Sequence, residues 1–130
     1  MDQGRRDRIL IVDNDETLAT ALAARLWSSG FEVEIQLDGL SALQAAGLRH
    51  PNLVILDLRL PDMSGFEVCK DLRRLFHPWD VPILMLTAVD QPLAQLKGFA
   101  CGADAYLPKP CGSTELLKTV AMLLGQLELA

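Results

Sequence analysis

A doubly wound α/β domain on a five-stranded parallel sheet is the fold class this sequence predicts, and three observations predict it. Short aliphatic runs recur along the chain without internal charge, as strands do when both faces of a sheet are covered. Helix-period segments separate these runs, which is the order of parallel strands joined by helical crossovers. The 130 residues, 50% of them hydrophobic, suffice for one core, and no repeat or linker divides them.

The first strand is "ILIV" at 9–12, after a short N-terminal tail over residues 1–8 in which Arg5, Arg6 and Arg8 read as solvated charges. Leu18, Leu22 and Leu26 then repeat at helix spacing and stop at Gly30, a residue suited to a left-handed helix cap. "FEVEIQ" at 31–36 alternates apolar with polar residues and reads as an edge strand. "LVIL" at 53–56 is a central strand. The next helix opens at Ser64, with Glu67 at the spacing of a capping box. "VPILML" at 81–86 is a further buried strand, and "DAYL" at 104–107 is a short fifth one, bounded by a glycine before it and two prolines after it. Ser113 is placed to cap the last helix, whose Leu116, Leu117, Val120, Leu123 and Leu124 form one apolar face. With about five helices in all, the domain is expected over 9–124, followed by a tail or linker stump at 125–130.

Composition excludes several classes of function. A net charge of -5 argues against a nucleic-acid surface within this chain. Cys69, Cys101 and Cys111 lack CxxC spacing, and only His50 and His77 could join them, so a zinc site is not expected. The longest uncharged apolar run, "VPILMLTAV" at 81–89, is too short to cross a bilayer, and Asp13 interrupts the first run before a signal-peptide pattern develops. A soluble, cytoplasmic protein with reduced thiols is the expectation.

The polar residues that end the aliphatic runs carry the chemistry. Ligands of open parallel sheets sit beyond the carboxyl ends of the strands, where Asp13, Asp57, Thr87 and Lys109 are expected to converge. Two carboxylates from neighbouring strands suit Mg²⁺, a hard cation that takes oxygen ligands and keeps waters for a phosphate to displace. A hydroxyl and an ammonium opposite the metal would bind the remaining oxygens of a phosphoryl group.

With these residues in place, the chain resembles a response-regulator receiver (CheY-like) domain of two-component signalling. The resemblance rests on "ILIVDND" (9–15), "LVILDLRLPDMSGFEV" (53–68), "PILMLTA" (82–88) and "GADAYLPKP" (102–110), four separated motifs in the family's order. It implies the flavodoxin-like strand order 2-1-3-4-5. It also implies that Asp57 accepts a phosphoryl group from a histidine kinase or phosphotransfer protein, with Mg²⁺ held by Asp13, its neighbours, Asp57 and the main-chain carbonyl of Arg59. Thr87 and Lys109 would contact the phosphoryl oxygens, Lys109–Pro110 would be a cis bond, and Tyr106 would change rotamer as Thr87 moves. The surface of the fourth helix, fifth strand and fifth helix would then change shape toward a partner-binding form. Such a protein is a switch that catalyses at most its own phosphorylation and dephosphorylation.

Two departures from the family pattern stand out. Asn14 occupies a position where an acidic metal ligand is usual, with Asp15 as the alternative ligand, and Cys111 follows "KP" where a bulky aromatic is common. Arg59 and Val89 stand at positions the family uses to tune phosphoryl lifetime. Two other readings compete. "DNDET" fits the D-x-D-x-T signature of haloacid-dehalogenase-like phosphatases, with Asp13 as nucleophile and Asp15 as acid, yet only Glu115 and Glu128 follow Lys109 as acidic residues. A pseudo-receiver that binds partners without phosphorylation is the other.

Overall fold

The computed structural model describes residues 6–77 and 80–126. Five strands, β1 (Arg8–Val12), β2 (Glu32–Gln36), β3 (Leu53–Leu56), β4 (Ile83–Thr87) and β5 (Ala105–Pro108), alternate with five helices. The helices are α1 (Glu16–Ser28), α2 (Gly39–Leu48), α3 (Gly65–Leu75), α4 (Pro92–Ala100) and α5 (Ser113–Leu123). All strand pairs are parallel and the sheet order is β2-β1-β3-β4-β5, the flavodoxin-like order.

The uninterrupted aliphatic strands are buried on both faces, because alternate residues feed different cores. Leu10, Val12, Val54, Leu56, Ile83 and Met85 face α2 and α3, while Ile9, Ile11, Leu53, Ile55, Leu84 and Leu86 face α1 and α5. β2 is an edge strand, and its alternating glutamates explain why. Glu32 and Glu34 take the guanidinium of Arg8 from the neighbouring strand.

Several local expectations need correction. Arg8 is not part of a solvated tail: it is the first residue of β1, and its two ion pairs hold it half-buried. Leu18 is 38% exposed at the start of α1, so only Leu22 and Leu26 of that leucine series reach the core. Gly30 does end the helix, at φ +99°, with Phe31 N–H bonded to the Leu26 carbonyl and Gly30 N–H to that of Trp27. Ser64 caps α3, but its Oγ accepts from Phe66 N–H at 3.0 Å and not from Glu67, as a capping box requires. Gly112, not Ser113, is the residue before α5, so that helix begins without a side-chain cap. On α5 the expected face is graded, with Leu116 and Val120 buried and Leu117, Leu123 and Leu124 partly so. Arg5 and residues 127–130 lie outside the described residues.

The far ends of β4 and β5 are fixed by one side chain. Arg73 of α3 donates to the carbonyls of Gly102 (2.9 Å) and Val81 (2.6 Å) and to Asp104 Oδ2 (2.7 Å). Cys69, Cys101 and Cys111 are free thiols, and burial pushes the Cys69 thiol up to about 12, so it behaves as a small apolar group.

Candidate functional site

The order of the sheet reverses between β1 and β3, which opens a crevice beyond the carboxyl ends of those two strands. The main-chain ladder runs on into this crevice. Asp13 N–H bonds to the Gln36 carbonyl (3.1 Å), Asp57 N–H to that of Val12 (2.9 Å) and Lys109 N–H to that of Thr87 (2.9 Å). Each strand end is therefore clamped to its neighbour at the residue whose side chain enters the site.

Asp13, Asp57 and Thr87 are the buried polar or charged side chains among the described residues, at 4%, 7% and 0% exposure. Buried carboxylates demand partners. The Lys109 ammonium supplies them, donating to Asp13 Oδ2 at 2.6 Å and to Asp57 Oδ2 at 2.8 Å. The second oxygen of each carboxylate accepts from the main chain: Asp15 N–H to Asp13 Oδ1 at 2.9 Å, and Arg59 N–H to Asp57 Oδ1 at a long 3.3 Å. Burial alone would lower the Lys109 pKa. The hydrogen bonds and charges of Asp13 and Asp57 together outweigh that and hold it above the ordinary lysine value. The Lys109–Pro110 bond is cis.

One ammonium facing two carboxylates leaves the pocket with uncompensated negative charge, and a cation fits that deficit. Among the described residues no three His, Cys, Asp or Glu side chains gather into a cage. The donor set instead suits Mg²⁺, which binds through one or two carboxylates and retains several waters. Asn14 and Asp15 are exposed beside Asp13, and Arg59 is exposed beside Asp57. Asp15 also serves the helix that follows, since its Oδ1 accepts from Leu18 N–H at 3.1 Å and caps α1.

Thr87 and Tyr106 meet at Val89. Thr87 Oγ1 accepts from Val89 N–H at 3.3 Å, and the Tyr106 hydroxyl donates to the Val89 carbonyl. Burial, then the charges of Asp90 and Asp57, raise the Tyr106 pKa, so the phenol stays protonated and keeps donating.

Two further residues, which the sequence motifs do not single out, shape the site. Gly65, first in α3, lies against the chain just beyond β3: a Cβ there would stand 2.3 Å from the Asp57 carbonyl oxygen and 2.7 Å from Leu58 Cα. Asp62 reaches away from the site to the start of α2, accepting from Gly39 N–H at 2.8 Å and Leu40 N–H at 2.9 Å. The Gly after "PDMS" is a visible signal for close packing. Nothing local reveals the partners of Asp62, which lie more than twenty residues earlier.

Fold and site together define a flavodoxin-like α/β domain with a lysine-bridged acidic pocket at the switch point of its sheet. The family model for the response regulator receiver domain matches residues 9–121, and the chain belongs to that family. It is 41% identical over 117 residues to the DNA-binding dual master transcriptional regulator RpaA of Synechocystis, an alignment covering 90% of this chain and 48% of RpaA. The chain thus spans about half the length of the curated relatives it matches. Among solved structures, the CheY-like receiver domain protein from Methanospirillum hungatei superposes with a TM-score of 0.88 at 30% identity, covering 94% of this chain and 96% of that one. The BeF3-activated receiver domain of RstA from Klebsiella pneumoniae gives a TM-score of 0.86 at 29% identity over 91% and 98% of the two chains. This membership decides against the haloacid-dehalogenase-like reading. Among the described residues no helix is long and apolar enough to cross a membrane.

Proposed function

We propose that this domain is a phosphoryl-accepting switch in which Asp57 is the acceptor and a histidine kinase or phosphotransfer protein is the donor. The observation that carries the reading is the single ammonium of Lys109 bridging Asp13 and Asp57 at the crevice. An Asp57 carboxylate oxygen attacks phosphorus, forming an acyl phosphate as the bond from phosphorus to the donor's imidazole nitrogen breaks. Lys109 offsets the charge of the attacking carboxylate and then follows the transferred oxygens. Mg²⁺, held by Asp13, Asp57 and the Arg59 carbonyl with Asn14 or Asp15 at the mouth, would neutralise charge on the transferring group.

The product adds roughly one to two negative charges to the pocket. Thr87 is the hydroxyl that answers them, and its movement releases Val89, whose carbonyl Tyr106 holds. The consequence is a shift between two packings of the surface built by α4, β5 and α5. RpaA is named a DNA-binding regulator and is about twice as long as this chain, which supports a transcriptional output for the signal this domain receives.

The test is intact mass spectrometry after incubation with a small acyl or amido phosphodonor and Mg²⁺. One phosphoryl adduct is expected on the wild type and none on Asp57→Ala. Equal labelling of both would move the acceptor elsewhere, and no labelling of either would make the domain a pseudo-receiver.

A further inference from the structure

The N-terminus of α2 is completed by a residue from the loop that follows the acceptor. A helix start leaves four main-chain N–H groups without partners inside the helix. Here the Asp38 side chain serves one of them, its Oδ1 accepting from Ser41 N–H at 2.8 Å, while its carbonyl takes the first bond of the helix itself, from Ala42 N–H at 3.2 Å. Two more, Gly39 and Leu40, are served by the two carboxylate oxygens of Asp62. These bonds hold the Asp62 pKa below the ordinary carboxylate value, so the clamp is charged across the physiological range. The neighbouring side chain tightens the joint, because Met63 packs so closely on Gly39 that a Cβ there would stand 2.3 Å from Met63 Cγ.

The same loop is tied to the acceptor at its other end. Arg59 N–H meets Asp57 Oδ1, Gly65 N–H bonds to the Leu58 carbonyl at 2.9 Å, and Arg59 forms a β-bridge with Ser64. Residues 58–65 therefore form one short closed loop with Asp57 at its root and Asp62 at its tip. The weakest of these ties is the 3.3 Å bond to the very carboxylate that would be esterified.

We propose that this loop is a second relay, from Asp57 through Asp62 to the N-terminus of α2, separate from the path through Thr87 and Tyr106. It rests on Asp57 being the acceptor. Modification of Asp57 alters the acceptor of the Arg59 N–H bond, the loop adjusts, and the first turn of α2 follows because two of its four free amides belong to the loop. Asp62 is a positioning residue in this scheme and touches none of the reacting atoms. The outer face of α2, where Leu40 and Leu48 are exposed, then responds to the phosphorylation state.

Amide NMR with Mg²⁺ and beryllofluoride tests the relay on the whole chain. In the wild type the signals of Leu58 and Arg59 are expected to shift together with those of Gly39 and Leu40. In Asp62→Ala the first pair should still shift while the second pair loses its response. Asp62→Asn, which leaves one acceptor oxygen for two donors, should fall between them and guards against a misfolded alanine variant. Shifts at Gly39 and Leu40 as large in Asp62→Ala as in the wild type would overturn the relay, as would a wild type whose shifts stop at Arg59. Absence of any shift near Asp13 and Asp57 would overturn the acceptor assignment itself and the relay with it.

Discussion

Lys109 balances the buried carboxylates and, in the proposed switch, contacts the phosphoryl oxygens, and its titration isolates the first role. Its pKa is raised in the folded state because Asp13 and Asp57 outweigh the effect of burial. A base stabilised in this way contributes fully to stability below its unfolded pKa of about 10.4, and that contribution is lost as pH rises through the higher folded value. Denaturant midpoints measured from pH 8 to 11.5 are therefore expected to converge for wild type and Lys109→Met at the alkaline end, the wild type losing its advantage there. Tyr106 titrates in the same region but is present in both, so the difference isolates Lys109. The other residue-scale prediction concerns Asn14, exposed beside Asp13. Mg²⁺ prefers charged oxygens, so Asn14→Asp should tighten it by about 1 kcal/mol, the gain being limited by repulsion from Asp13 and Asp57. Asp15→Ala should weaken Mg²⁺ only through the longer-range field, since one Asp15 oxygen already caps α1. Calorimetric titration of both variants checks this. Unchanged affinity in Asn14→Asp with collapse in Asp15→Ala would make Asp15 the ligand.

The elements are legible where one segment alone decides them, and obscure where two segments share a residue. Charge-free runs mark β1, β3 and β4 because strands covered on both faces need apolar residues at every position. The Ser64 cap is visible because a helix start depends on its own neighbours. Ser113 misleads because the chain turns into the helix one residue earlier, at a glycine that offers no side chain to bond. Arg8 misleads because its partners sit on β2, whose pairing with β1 no local pattern records. Gly65 belongs to the same class of non-local residue. Its missing side chain lets α3 seat directly on the main chain of Asp57 and Leu58. Gly65→Ala is expected to cost about 1–3 kcal/mol, the usual penalty for forcing atoms into a filled space. Unlike an ordinary overpacking variant, it should also slow phosphorylation, because the atoms that must yield are main-chain atoms of the acceptor. Urea midpoints and the rate of adduct formation check the two effects separately. A loss of stability with an unchanged rate would make Gly65 a packing residue alone.

At the scale of the whole molecule, the sheet divides the work between its two ends. Arg73 and its three acceptors pin the far ends of β4 and β5, while the carboxyl ends bring together the side chains of Asp13, Asp57 and Lys109. Those three are legible because the doubly wound order fixes where strand ends meet, whatever the intervening sequence. The connection beyond them is not, since Val89 lies in a loop whose shape depends on both Thr87 and Tyr106. Val89 is held from two sides, its N–H by Thr87 and its carbonyl by a half-buried tyrosine that packs near Gly98 of α4. A change in either grip gives occupancy of the site a route to α4. With beryllofluoride and Mg²⁺ present, amide signals from about 88 to 108 are therefore expected to shift along with those of residues 13–15 and 57–59. Tyr106→Phe keeps the ring and its packing but removes the hydroxyl, so it should leave the shifts at 57–59 intact and reduce those in α4. A phenylalanine variant whose α4 signals respond as fully as the wild type would show that ring packing alone transmits the change, and the Val89 bond would lose its part in the switch.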